Sequence, residues 1–172
     1  MLRLIILLLL ILPSTAKSAP MAQEYGYKQC NHHTFTFLLL KAYDVYLCAN
    51  NPAFFKPEKI YQTNFSLFIH YNMNFDKREL AQSSIEEMNR YYTLSKEDQA
   101  LYYQKLMSIF PNVRKADIIE AKYNQEGVVA FYHNQLLTGT IDDPTFSQLF
   151  LDIWLYKKNK YQDMTKDLFT QL

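Results

Sequence analysis

Tyr132-His-Asn-Gln-Leu-Leu-Thr-Gly-Thr-Ile-Asp-Asp-Pro-Thr-Phe-Ser-Gln-Leu-Phe-Leu-Asp-Ile-Trp-Leu155 reads as a strand, a tight turn, a second strand and a helix with a sharp start. Asp143 suits an N-cap, because its carboxylate can accept from the free backbone N–H groups of the first turn. Pro144 suits the first helical position, where its missing N–H would be unbonded in any case. Phe146, Leu149, Phe150, Ile153 and Trp154 then fall on one face of a 3.6-residue period. The only tryptophan of the chain lies on that face. The segment predicts a helix laid on a sheet. By itself it names no chemistry.

The preceding chain supplies the sheet. Asp117–Tyr123 and Val128–His133 read as a hairpin around Gln125-Glu126-Gly127, and Leu136–Ile141 as the next strand. From Asn64 to Asn72 the pattern alternates, with Phe65, Leu67, Ile69 and Tyr71 on one face, as in a central strand. Between these strands come two helices. Asp76 followed by Glu79 has the form of a capping box, and Ala81, Ile85, Met88 and Tyr92 carry an apolar face over 77–92. Ser95 caps the second helix, which Pro111 ends. A short last helix is expected where Tyr161, Met164, Leu168 and Leu172 are spaced to pack.

The N-terminal half is less sharply punctuated. Residues 24–30 read as a first strand. Thr34–Leu47 is too long for one strand without a bend or bulge. Its middle, Phe37-Leu-Leu-Leu40, is continuously apolar, as in a strand covered on both faces. The order of strands, two helices, strands, two helices predicts an α+β domain with an antiparallel sheet over residues 24–172.

Residues 1–18 read as a secretory signal peptide. Arg3 gives a positive start, Leu4–Leu12 is an unbroken apolar run, and small residues follow at Ser14, Ala16 and Ser18. The run is shorter than the roughly 20 residues that a membrane-spanning helix requires. An uncleaved anchor is the competing reading. Cleavage would place the mature protein in a periplasm or outside the cell. No later stretch is long and apolar enough for a transmembrane helix. The formal net charge of +1 gives no basic excess of the kind that nucleic-acid surfaces carry. The two cysteines, Cys30 and Cys48, stand either as a disulfide, in keeping with export, or as two buried thiols.

Catalytic templates are missing. With three glycines, the chain has no phosphate loop and no serine elbow, and it shows neither HExxH nor Cys-x-x-Cys. His32 and His33 are neighbours on a strand and point to opposite faces, so they do not share a metal easily. His70 and His133, also on strands, read as surface or satisfied side chains before they read as general bases. No metal or cofactor is expected. The tyrosines are more informative. Tyr43, Tyr46, Tyr71 and Tyr132 lie on strands, and those under the helices would line an apolar pocket with hydroxyls at its rim. The plainer alternative is cross-strand packing. Asp44 reads as solvent-facing, or as a partner of Lys41 or an arginine. Arg114 is a candidate holder of a ligand carboxylate, beside its reading as part of a solvated turn.

Four segments in order carry a resemblance: Leu40-Lys-Ala-Tyr-Asp-Val-Tyr-Leu47, Asp76–Met88, Ile109–Asp117 and Tyr132–Leu155. Together they resemble the exported, bacterial chalcone-isomerase-like proteins of the chalcone isomerase superfamily. The resemblance implies an open-faced β-sandwich, a large antiparallel sheet covered on one side by helices, with a ligand cleft between the layers. Plant members close a flavanone ring there, and other members bind fatty acids. Carried over residue by residue, the plant catalytic set is not matched. Asn31 falls in the place of its anion-stabilising arginine, and Tyr43 in that of its ketone-holding threonine. Residues 78–88 lack the tyrosine that the plant enzymes place at the start of the first helix, and they lack its asparagine as well. An enzyme of this kind needs donors aimed at an oxyanion, each worth roughly 3–4 kcal/mol.

The sequence therefore predicts a non-catalytic, exported domain that binds a small apolar or amphiphilic, fatty-acid-like ligand through Tyr43, Tyr71, Tyr132 and Arg114. Two alternatives stand beside it. One is an intramolecular lyase or isomerase acting on an enone-like substrate, which would need an arginine in the cleft. The other is a protein-interaction module without a small ligand.

Overall fold

The computed structural model describes residues 18–170. The first sixteen residues of the expected signal peptide, its Lys17, and Leu172 lie outside the described residues. A helix α1 spans Ser18–Tyr25, followed by strands β1 (Gln29–Phe37), β2 (Leu40–Ala49) and β3 (Phe65–Tyr71). Helices α2 (Lys77–Tyr91) and α3 (Lys96–Ile109) come next, then strands β4 (Ile118–Tyr123), β5 (Val129–His133) and β6 (Leu136–Ile141). Helices α4 (Pro144–Leu155) and α5 (Gln162–Phe169) close the chain.

The six strands form one antiparallel sheet in sequence order. Strict alternation sorts its residues between two faces. Val45, Leu47, Leu67, Ile69, Ala121, Val129 and Phe131 point to the face covered by α2–α5 and form the main core. Cys30, Tyr46, Cys48 and Phe68 point the other way, where Met21 and Ala22 of α1 cover them. The fold is thus α+β, an open antiparallel sheet with its helices gathered mainly on one side.

The helix starts follow the local chemistry. Asp76 accepts from the Arg78 N–H, and Glu79 accepts in return from the Asp76 N–H, which completes the capping box of α2. Asp143 Oδ1 accepts from the N–H groups of Thr145 and Phe146 ahead of Pro144. The face of α4 that was read from Phe146 to Trp154 is buried against the sheet. Tyr102 of α3 stacks on Phe146 with ring centroids 4.0 Å apart.

The N-terminal third departs from the sequence reading in two places. The expected strand at 24–30 is instead the end of α1 and a turn, with β1 starting at Gln29. The long run from Thr34 to Leu47 is two strands joined at Leu38-Leu39, both with positive φ. Phe37-Leu-Leu-Leu40 is therefore an exposed hairpin end, not a doubly covered strand. A continuous apolar run carries no period, so pattern alone cannot separate a buried strand from a turn.

Cys30 and Cys48 are paired across β1 and β2, with Cα atoms 4.1 Å apart, and are joined as a disulfide. Asp44 is buried on the α1 side of the sheet, not solvent-facing. Its carboxylate takes the Thr34 hydroxyl and, at 3.1 Å, the Asn72 amide. On the adjoining strand His32 stacks on Tyr46, whereas His33 turns to the opposite face and bonds Asp167 of α5 at 2.8 Å.

Candidate functional site

A cavity of about 450 Å³ lies between the helical layer and the first four strands, with Ile119 and Ala121 of β4 in its lining. Its floor is Phe35 of β1, Ala42 and Tyr43 of β2, and Ile69 and Tyr71 of β3. Its roof is Phe150, Ile153 and Trp154 of α4, with Leu80 of α2 and Met164 of α5 at the sides. Two local devices build this floor. Phe35 pairs with Tyr43 but Thr36 pairs with Lys41, so Ala42 is an extra residue in β2. Such a bulge disturbs alternation, and it lets Ala42 and Tyr43 both line the cavity. The register Tyr43↔Tyr71 then sets the two tyrosines side by side, with ring centroids 6.3 Å apart.

The polar groups are few and their positions differ. Trp154 Nε1–H donates to the Tyr43 hydroxyl at 3.3 Å. The Tyr71 hydroxyl has no hydrogen-bond partner among the described residues, and no fully buried side-chain oxygen is left unpaired. Its oxygen therefore opens on the cavity. Burial pushes both phenols above the ordinary tyrosine range, and the Trp154 hydrogen bond only partly offsets this for Tyr43. Both stay neutral and can donate or accept. The remaining polar lining belongs to α2: Glu79, Ser83, Ser84 and Glu87. Glu79 is committed to the cap of α2. Glu87 is bridged by Lys160 at 2.7 Å and Arg90 at 3.2 Å. Two cations outside the lining thus neutralise Glu87. The Lys160 ammonium also sits 4.5 Å from the ring centre of Tyr161, another cavity residue.

Of the residues that the sequence put forward, Tyr43 and Tyr71 meet in this cavity. Tyr132 does not line it. Its neighbour Phe131 points into the core, so Tyr132 points to the other face of the sheet, opposite Glu120, which accepts from Ser66. Arg114 does not line it either. It is exposed in the turn before β4, where its backbone N–H donates to Asp117. Arg78 and Arg90 are likewise absent from the lining. Asn31 is buried and structural: its amide donates to the Leu168 carbonyl and ties β1 to α5.

The cavity residues missed in the sequence are Phe35, Phe75, Leu80, Tyr161 and Met164. Their apolar spacing was visible, but nothing local distinguishes a core position from a cavity wall. Also missed was a buried carboxylate. Asp152 of α4 accepts from Tyr61 at 2.7 Å and from Tyr92. Burial pushes its carboxyl above the ordinary range, against the pull of hydrogen bonds from Tyr92, Tyr61 and Gln148. Among the described residues no group of three or more histidines, cysteines and carboxylates is placed to hold a metal ion, and no helix is long and apolar enough to cross a membrane.

The fold is similar to that of a fatty-acid binding protein of Arabidopsis thaliana. The TM-score is 0.62 at 10% identity, over 81% of this chain and 84% of that one. A comparison with curated protein sequences finds none that matches. The sequence pattern of the chalcone isomerase-like family matches residues 38–169, which include most of the sheet, all four helices over it and the cavity between them. The chain belongs to the chalcone isomerase-like family.

Proposed function

We propose that this protein is an exported, non-catalytic carrier that holds a fatty-acid-like amphiphile in the cavity between sheet and helices. The observation that carries the reading is the cavity itself, about 450 Å³ with walls built mainly of aromatic and aliphatic side chains. That size and lining suit a small ligand whose binding comes chiefly from apolar burial. Tyr43 and Tyr71 supply neutral hydroxyls along the floor. The similarity to a fatty-acid binding protein supports the same ligand class. The apolar leader at residues 4–12 supports export to a periplasm or the exterior.

An intramolecular lyase or isomerase of this fold would need a fixed cation facing a developing oxyanion. Arg78, Arg90 and Arg114 stand outside the cavity lining, which favours the carrier reading over the enzyme. The test is native mass spectrometry of the purified protein together with thermal denaturation in the presence of fatty acids. At a hundredfold excess over Kd, ligand stabilises the native state by about 2.7 kcal/mol. For a domain of this size that raises Tm by roughly 5–10 °C. If nothing amphiphilic co-purifies and no fatty acid raises Tm, the carrier reading fails.

A further inference from the structure

The β1–β2 hairpin breaks the usual rules for a turn. Leu38 and Leu39 sit at its tip with φ of +46° and +67°. Two-residue turns with both residues at positive φ favour asparagine and glycine, and a bulky aliphatic residue there is strained. The β5–β6 hairpin of the same sheet has the same positive φ at Asn134 and Gln135, filled by polar residues. The leucines gain nothing from burial in return. Leu38 is 78% exposed and Leu39 96%, flanked by Phe37 and Leu40 at 62% and 61%. Four consecutive exposed apolar side chains, two of them on unfavourable backbone, point to something outside the chain that buries them.

The tip is continuous with the cavity. Phe37 belongs both to the exposed hairpin end and to the cavity wall, and so does Met73 on the neighbouring loop after β3. The Asn72 N–H donates to the Ala42 carbonyl, which fixes that loop against the hairpin. Leu136 and Leu137, also exposed, follow the β5–β6 turn at the same end of the sheet.

Charge at this end is arranged unevenly. Asp76 pairs with Arg78, Glu79 caps α2, and Asp117 is held by the Arg114 N–H, Asn134 and His133. Lys41 flanks the apolar tip, and Arg114 and Lys115 lie at the same end of the sheet in the turn before β4; none of the three has an ion-pair partner among the described residues. The Lys115 N–H bonds Asn74, next to Met73, which places it beside the cavity mouth. Exposed aliphatic side chains with unpaired cations at the same end of the sheet match the acyl layer and anionic headgroups of a lipid surface.

We propose that the Phe37–Leu40 hairpin inserts into the surface of a lipid bilayer and brings the cavity mouth against it, so that an amphiphile passes between membrane and cavity without crossing water. This inference rests on the carrier reading for the nature of the cargo; the docking itself does not. The experiment is flotation with vesicles of phosphatidylcholine, alone or mixed with phosphatidylglycerol. Wild type is compared with the double variant Leu38→Asn, Leu39→Gly and with Lys41→Gln, Lys115→Gln. Residues 4–12 are themselves apolar, so all three are produced through their leader and compared only with the same N-terminus, read by mass spectrometry. Wild type should float, more so with phosphatidylglycerol. The leucine variant should lose about tenfold or more in partitioning, since one buried leucine accounts for about that factor. It should keep or gain Tm, because Asn-Gly suits the turn. The lysine variant should lose the phosphatidylglycerol enhancement.

Decanoate binding in solution, followed by Trp154 fluorescence, separates the two proposals. Wild type that binds decanoate but does not float overturns the docking and leaves the carrier intact. Wild type that floats through the leucines but binds no decanoate sustains the docking and overturns the carrier. A self-association that the leucine variant abolishes, without flotation of wild type, would make the hairpin a protein contact and overturn the membrane assignment.

Discussion

Trp154 and Tyr43 meet across the cavity, with the indole N–H of α4 bonded to the phenol of β2 at 3.3 Å. The contact couples roof to floor through the chain's single tryptophan. Intrinsic tryptophan fluorescence therefore reports the cavity alone. Filling the cavity with decanoate should change emission wavelength or intensity and saturate with the same midpoint as the rise in Tm. Tyr43→Phe should alter the emission of the empty protein and cost about 1 kcal/mol for the lost hydrogen bond. A ligand that raises Tm while leaving Trp154 emission untouched would bind elsewhere.

How much of this was legible in the sequence depends on how local each signal was. Asp76 with Glu79, and Asp143 with Pro144, declare helix starts within four residues, and both helices begin there. The alternation of Phe65, Leu67, Ile69 and Tyr71 declared the inner face of β3 and carried Tyr71 into the cavity with it. The same rule applied one residue further places Tyr132 outside the cavity. Phe131 faces the core, so its neighbour cannot, and the Val129–Phe131 spacing held that information. The Leu38-Leu39 turn was hidden because it lacks the glycine or asparagine that marks such turns. The bulge at Ala42 was hidden because nothing in its composition marks it. Asp152 carries no local signal of its role; only the long-range approach of Tyr61 and Tyr92 makes it a buried acceptor.

Gly127 is held by two constraints at once. Its φ is +86°, and a Cβ built there would lie 2.6 Å from Pro144 Cβ. The β4–β5 turn thus packs on the first residue of α4. Gly127→Ala should destabilise by more than about 1 kcal/mol, since the left-handed backbone alone costs about that much for a residue with a side chain. Chemical denaturation measures it. A loss of only a few tenths of a kcal/mol would mean that the turn moves off Pro144 freely.

The Cys30–Cys48 bond closes a loop with a sequence separation of 18 across the β1–β2 hairpin. Constraint of the unfolded chain by a loop of that size stabilises by about 3 kcal/mol. The double variant Cys30→Ala, Cys48→Ala should lower Tm by roughly 6–12 °C. Dithiothreitol should reproduce the loss in wild type and leave the variant unchanged. Because the sulfurs lie under α1, on the face away from the cavity, decanoate affinity should survive wherever the reduced protein remains folded.

Asp152 makes stability depend on pH in the sense opposite to a salt-bridged carboxylate. Its two oxygens accept from Tyr61 and Tyr92, and among the described residues no lysine, arginine or histidine forms an ion pair with it. Burial raises its folded pKa above the unfolded value near 3.9, so the protonated form is the one the fold prefers. That preference is fully present below about pH 3.9 and is lost as pH rises through the folded pKa. Asp152→Asn carries no charge and keeps an acceptor for one tyrosine and a donor for the other. Its stability relative to wild type should therefore increase from about pH 4 toward neutrality. Asp152→Leu removes both acceptors and should cost about 1–3 kcal/mol for each hydroxyl left unpaired. Thermal denaturation of all three proteins across that range decides the matter. If the Asn variant and wild type differ by a constant amount at every pH, the carboxylate is as well solvated folded as unfolded, and the buried Tyr61–Asp152–Tyr92 arrangement does not govern its ionisation.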